Sequence, residues 1–230
     1  MEAIVLAGGK AERMGDATGG RPKSLVDVAG KPLLAYQVGR LAKAGVDRVI
    51  VSCAAGQGDA FRGELDGFGV ELVCAEEQER LGRGGGIKFA ARQRAEQGDV
   101  YAMNGDELVD VDFAALLARH RDTAAAATVS VARPASTFGV VELDEDDVVT
   151  GFSEGGRIPY WVNCGVYVLS EEAIERFPDR GDHESTAFPE LAAEGRLRAH
   201  RHEGLWLTVN TPKELRRAQE HVAAHPEWLS

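Results

Sequence analysis

The sequence predicts an α/β fold with a mostly parallel central sheet and a more antiparallel extension in its second half. Three observations carry that expectation. Short apolar runs alternate with amphipathic segments as far as Arg121, the pattern of βαβ units. Strand-like runs joined by turns crowd together between residues 126 and 169. No internal repeat and no linker-like stretch divides the 230 residues.

In chain order, Ala3–Leu6 reads as a buried strand that ends in a loop holding Gly8, Gly9, Gly15, Gly19 and Gly20. Pro32 opens a helix with Leu34, Val38 and Leu41 on one face. Arg48–Cys53, Val70–Cys74 and Val100–Met103 are further strands, separated by helices over Ala60–Leu65 and Ile87–Ala95. Between them the glycine-rich segment Gly82–Gly86 reads as loop, and Phe113–Arg121 is helical. Ala126–Ala132, Gly139–Leu143, Val148–Phe152 and Trp161–Leu169 are the strands of the second half. Helices near Glu171–Phe177 and Phe188–Glu194 and a strand over Leu197–His202 follow. Thr211 as N-cap and Pro212 at the first helical position open the last helix.

A formal net charge of −11 argues against non-specific nucleic-acid binding and against an anionic membrane surface. Cys53, Cys74 and Cys164 are far apart and odd in number, so a reducing compartment without disulfides is expected. The start Met-Glu-Ala-Ile-Val-Leu lacks a basic n-region, and no apolar run is long enough to span a bilayer. The expected setting is the cytoplasm. His200, His202, His221 and His225 show no third ligand partner and are expected to be exposed side chains.

Four regions carry candidate chemistry. Leu6-Ala7-Gly8-Gly9-Lys10-Ala11-Glu12-Arg13-Met14-Gly15, continuing to Arg21-Pro22-Lys23-Ser24, sets a glycine pair straight after the first strand. Backbone N–H groups there approach a polyphosphate closely. Lys10, Arg13, Arg21 and Lys23 outnumber Glu12 and Asp16 in an otherwise acidic chain. The loop matches neither the P-loop nor the dinucleotide G-x-G-x-x-G pattern. Asn104-Gly105-Asp106 ends a strand, where a carboxylate faces the ligand crevice of a parallel sheet and offers Mg²⁺ a hard oxygen. In the loop Glu76–Gly86, a carboxylate such as Glu76 accepts hydrogen bonds only, which fits the N–H donors of guanine. Gly139 lets backbone approach a ring, and Asn163 bonds hydroxyls as donor and acceptor.

These segments, in this order, resemble the sugar-phosphate nucleotidyltransferase family. The carriers are Leu6–Met14 with Pro22-Lys23, Gly30-Lys31-Pro32-Leu33, Asn104-Gly105-Asp106, Phe138-Gly139-Val140-Val141 and Asn163-Cys164-Gly165-Val166-Tyr167. The first loop, with Ala11 and Glu12 where the family has glycine and threonine, is similar to that of molybdenum-cofactor guanylyltransferases. The resemblance implies a Rossmann-like three-layer sandwich, the nucleotide-diphospho-sugar transferase fold. It makes 1–230 one domain, with a nucleotide-binding lobe over about 1–110 and a sugar-phosphate lobe over about 111–230.

The implied reaction joins an NMP unit from a nucleoside triphosphate, GTP favoured, to a sugar 1-phosphate with release of pyrophosphate. Arg13, Lys23 and Asp106 would be catalytic. Leu6, Ala7, Gly8, Gly9, Lys10, Glu76, Gly82, Asn104 and Gly105 would bind the nucleotide. Gly139, Glu154, Arg157 and Asn163 would bind the sugar phosphate, Arg157 replacing a family lysine that is absent after Glu154, with Lys88 a more remote substitute. Asp106 and Asn210 would hold Mg²⁺, Thr208 standing where many relatives have an Asp. The resemblance leaves room for a homodimer. Two other functions fit the same residues: nucleotidyl transfer to a phosphorylated cyclitol, alcohol or phosphonate, and a catalytically silent sugar-nucleotide sensor.

Overall fold

Two interleaved sets of buried side chains explain the architecture of the computed structural model, which describes residues 1–9, 14, 19–136 and 138–229. The chain runs β1 (Glu2–Leu6), β2 (Asp27–Val28), β3 (Lys31–Pro32), α1 (Leu33–Lys43), β4 (Arg48–Ala54), α2 (Gly58–Glu64) and β5 (Glu71–Glu77). There follow α3 (Gly82–Ala91), β6 (Val100–Asn104), β7 (Glu107–Val109), α4 (Phe113–Asp122) and β8 (Ala127–Ala132). Next come β9 (Val140–Leu143), β10 (Val149–Ser153), β11 (Val162–Leu169), α5 (Glu171–Arg176) and α6 (Ala187–Ala193). The last elements are β12 (Leu197–Arg201), β13 (Trp206–Thr208) and α7 (Pro212–Ala224).

Seven strands pair in the order β12-β8-β11-β6-β1-β4-β5. Along β1 and β4 successive side chains point to opposite faces: Ala3, Val5, Val49 and Val51 join one buried cluster, Ile4 and Ile50 another. The first cluster takes Leu34, Val38 and Leu41 of α1, Phe61 of α2 and Leu116 of α4. The second takes Ile87 and Ala90 of α3, Ile174 of α5 and Leu191 of α6. The sheet is therefore the middle of three layers, the expected sandwich. Each fully buried aliphatic side chain contributes about 1.5–3 kcal/mol to holding it.

Within the sheet β11 alone runs against the other strands, antiparallel to both β6 and β8. Of the anticipated antiparallel extension, β8 and β11 are thus part of the central sheet, which the later strand β12 also joins. Only β9 and β10 stand apart, as a hairpin of their own. Two short ladders, β2–β3 and β7–β13, were not anticipated. Neither was the start of α3, which begins at Gly82 rather than near Ile87. Glycine weakens a helix by removing side-chain contacts and adding backbone freedom, but here close packing against other backbone outweighs that. His202 is buried, its ring bonded to the Leu205 carbonyl and paired with Asp110, not exposed as anticipated. No helix among the described residues is long and apolar enough to cross a membrane.

Candidate active site

The carboxyl ends of β1 and β6 meet over one floor. The Gly105 N–H donates to the Leu6 carbonyl at 2.9 Å, and a Cβ on Gly105 would lie 2.8 Å from that oxygen. Only glycine lets the turn after β6 cross β1 so closely, and this crossing aims Asp106 into the crevice. Lys23 follows Pro22 at the head of a single 3-10 turn, Lys23–Leu25, and is almost wholly buried. Its ammonium donates to Asp106 Oδ2 at 2.6 Å and to Asn210 Oδ1 at 2.5 Å. Asn210 is held in turn by α7, whose Glu214 carboxylate accepts the Asn210 N–H at 2.7 Å. Three distant stretches of chain therefore converge on one buried charge.

Above this floor lies a cavity of about 700 Å³. Among the anticipated residues it is lined by Leu6, Ala7, Gly8, Gly9, Lys23, Gly82, Asn104, Gly105, Asp106 and Asn210. Its far wall is an unexpected contact between the two halves of the chain. Gly82 has φ +79°, and a Cβ there would sit 2.5 Å from the Gly181 carbonyl oxygen. The Gly181 N–H donates to Leu81 O at 2.7 Å, and Gly181 O accepts from Gly84 N at 2.9 Å. A protein carbonyl thus occupies the electropositive start of α3, an end that would otherwise attract an anion.

The remaining anticipated residues lie elsewhere. Glu76 does not line the cavity; its carboxylate turns to the Gly56 N–H at 2.6 Å. Gly139 packs against the tip of the Phe152 ring, and Glu154 follows β10 as an exposed side chain. Arg157 pairs with Glu203 at 3.7 Å. Asn163 has its amide fully engaged: Nδ2 donates to Tyr167 and Glu184, both at 2.8 Å, and Oδ1 accepts the Gly165 N–H. Lys88 is tied to the Glu175 and Phe177 carbonyls. Lys10 and Arg13 lie outside the described residues.

Several cavity residues were not singled out from the sequence. Glu77 lines the wall in place of Glu76, accepting from the Ser52 hydroxyl at 2.6 Å and the Leu81 N–H at 3.0 Å. Arg83 lines it while bonded to Asp182 and Glu184. Arg180 pairs with Glu79 at 3.0 Å, whereas Arg80 has no partner among the described residues. Glu107 lies beneath Asp106 and accepts from Asn104 Nδ2 and Trp206 Nε1, each at 3.1 Å. Burial, reinforced by the neighbouring Asp106 charge, pushes the Glu107 carboxyl up to about 8. Strict alternation along a strand would have pointed to Glu77, since it lies on the Ser52 side of β5, but the Trp206 donor to Glu107 depends on the unanticipated β7–β13 ladder.

The floor also suits a divalent metal. Asp106 and Asn210 direct hard oxygens at one point, and the Lys23 ammonium there shows that the arrangement stabilises positive charge.

A family model described as nucleotidyl transferase matches residues 2–225. A mannose-1-phosphate guanylyltransferase of Mycobacterium tuberculosis is 32% identical over 225 residues, covering 93% of this chain and 62% of that protein. The mannose-1-phosphate guanylyltransferase catalytic subunit beta of Xenopus tropicalis is 30% identical over 245 residues, covering 100% and 68%. The chain spans about two thirds of the length of these curated relatives, 62% and 68%. Among solved structures, HddC from Yersinia pseudotuberculosis superposes with a TM-score of 0.75 at 25% identity, over 96% of this chain and 98% of that one. The same protein complexed with GMP-PN gives a TM-score of 0.73 at 25% identity and the same coverage.

Proposed function

This chain belongs to the nucleotidyl transferase family, and from that premise we propose that it joins the guanylyl unit of GTP to a sugar 1-phosphate. One observation carries the reading: Lys23, Asp106 and Asn210 converge at the floor of a cavity that Gly8, Gly9, Gly82, Gly105 and Gly181 also line. In the reaction an oxygen of the sugar phosphate attacks the α-phosphorus, the bond to the β-phosphate oxygen breaks, and pyrophosphate leaves. The attacking phosphate is already ionised, so no protein nucleophile or general base is needed. What the chain must supply is position and positive charge.

Lys23 has three N–H donors, of which Asp106 and Asn210 take two. The third is left for a phosphate oxygen in the cavity that Lys23 lines. Arg13 and Lys10 in the first loop are assigned to the triphosphate by the family resemblance. Arg80, which also lines the cavity, adds a further cation. Asp106 and Asn210 would hold Mg²⁺, which when bound would offset charge on the phosphate oxygens. The guanine preference rests on the guanylyltransferase relatives and the GMP-PN complex, since Glu76 is committed to Gly56. Mannose 1-phosphate is the first acceptor to test. A cytoplasmic setting fits the three free thiols.

Pyrophosphate release measured with five triphosphates against several sugar 1-phosphates tests the reaction. GTP is expected to exceed the others, and Lys23→Ala and Asp106→Ala are each expected to lower kcat about 10²-fold or more without loss of fold. Wild-type rates in either variant would sink the mechanism, and preference for another triphosphate would sink the base assignment.

A further inference from the structure

Beyond the cavity, the same edge of the sheet carries a second group of cations. We propose that Arg133 and Arg201, stacked on Trp161, and Arg157, which shares Glu203 with Arg133, bind a second phosphate on the acceptor, at the end of the sugar remote from the reacting one. This rests on the sugar-phosphate transfer reading above.

The first observation is how the three arginines are held. The Arg133 guanidinium carbon lies 4.7 Å from the Trp161 ring centroid and that of Arg201 lies 5.3 Å from it. Stacking on an indole fixes a guanidinium plane without using its N–H donors. Arg157 is brought to the same place by backbone: an Ala135–Arg157 bridge, Ser136 N–H to Gly156 O at 2.8 Å, and Ile158 N–H to Pro134 O at 2.9 Å. Glu203 lies 3.7 Å from both Arg133 and Arg157, too far for a hydrogen bond.

The second observation is what these side chains do not do. None of the three guanidinium groups donates a hydrogen bond to any described residue. By contrast Arg83, Arg94, Arg121, Arg176 and Arg196 all bond to carboxylates. Three planar forks with every donor unspent among the described residues, two of them near one acid, form a local excess of positive charge in a chain of −11. That combination suits a tetrahedral dianion.

The third observation is position. Arg133 directly follows β8 and Arg201 ends β12, both strands running in the direction of β6. Trp161 directly precedes β11, which runs the other way. All four side chains therefore sit at the sheet edge where β6 delivers Asn104 and Asp106. None of them lines the nucleotide cavity. β8 is two strand positions from β6, roughly 10 Å. A phosphate reacting beside Asp106 cannot also lie among these arginines, whereas a hexose bearing a phosphate at each end spans the gap.

Calorimetric titration of the protein with mannose 1,6-bisphosphate and with mannose 1-phosphate, in the presence of GMP and Mg²⁺, tests the site without turnover. The bisphosphate is expected to bind about tenfold or more tightly. In Arg133→Gln and Arg201→Gln the ratio is expected to fall to within about twofold, and in Glu203→Gln to rise, because the competing acid is gone. The opposite signs separate binding from loss of fold. A ratio near one in the wild-type protein, or one unchanged by the arginine variants, overturns the site even if mannose 1-phosphate is a good acceptor. A large arginine-dependent ratio supports the site even if no triphosphate yields pyrophosphate, a result that would fall on the transfer reading instead.

Discussion

His183 is a polar side chain solved by packing alone. It is fully buried, stacked on Phe177 at 4.8 Å and edge-on to Tyr167 and Phe188, and neither ring nitrogen has a hydrogen-bond partner among the described residues. Burial first, with Arg83 adding to it and Asp182 opposing, lowers its pKa to about 4 from 6.5. The folded chain keeps the ring neutral while the unfolded chain takes up a proton below about pH 6.5. Stability from this residue is thus fully present above that pH and is lost as pH falls towards 4, by on the order of 3 kcal/mol. Urea unfolding at pH 7 and pH 5 should show a smaller difference in His183→Phe than in the wild-type protein. An equal difference would mean the ring is reached by water or is already protonated. Nothing in the local sequence marks this histidine, because its aromatic neighbours come from β11, from α6 and from the end of α5.

At the scale of elements, the start of α7 links stability to the site. Thr211 caps the helix by accepting from the Glu214 N–H at 3.3 Å, and Glu214 reaches back to the Asn210 N–H at 2.7 Å and the Thr208 hydroxyl at 3.2 Å. This is a capping box displaced by one residue. Thr211→Ala is expected to cost about 1 kcal/mol in urea unfolding. Glu214→Ala is expected also to lower kcat, since Asn210 then loses the anchor that aims it at Lys23; an unchanged kcat would show that Asn210 is held by other means. The cap and the proline were legible in the sequence because the signal is local and chemical. The parallel strands were legible from apolar runs for the same reason. The β7–β13 ladder was not, since three-residue strands nearly a hundred residues apart leave no periodic trace.

Over the whole molecule, the sequence located the floor of the site better than its walls. Asp106 and Lys23 stand in short motifs with their own chemical logic, Asn210 was implied only by the family resemblance, and the structure draws all three to one point. The walls come from chain crossings, so Arg180 and Gly181 could be read only from the folded backbone, whereas alternation along β5 was enough to prefer Glu77 over Glu76. The crossing at Gly181 has a consequence for how the protein is assembled. Three of the glycines inside α3 exist to admit other atoms: a Cβ on Gly84 would meet His183 N at 2.8 Å, on Gly85 Asp179 O at 2.6 Å, and on Gly86 Glu77 Oε1 at 2.8 Å. Each glycine costs an isolated helix roughly 1 kcal/mol relative to alanine, and an exposed helical segment of that weakness would not hold a turn. Residues 1–110 produced as a separate fragment are therefore expected to lack α3, seen as low helix content by circular dichroism and fast amide exchange over 82–91. Adding the fragment 111–230 is expected to restore it. The helix that walls the cavity is in this sense encoded twice, once where it is written and once a hundred residues later, in the backbone that packs where its side chains would be.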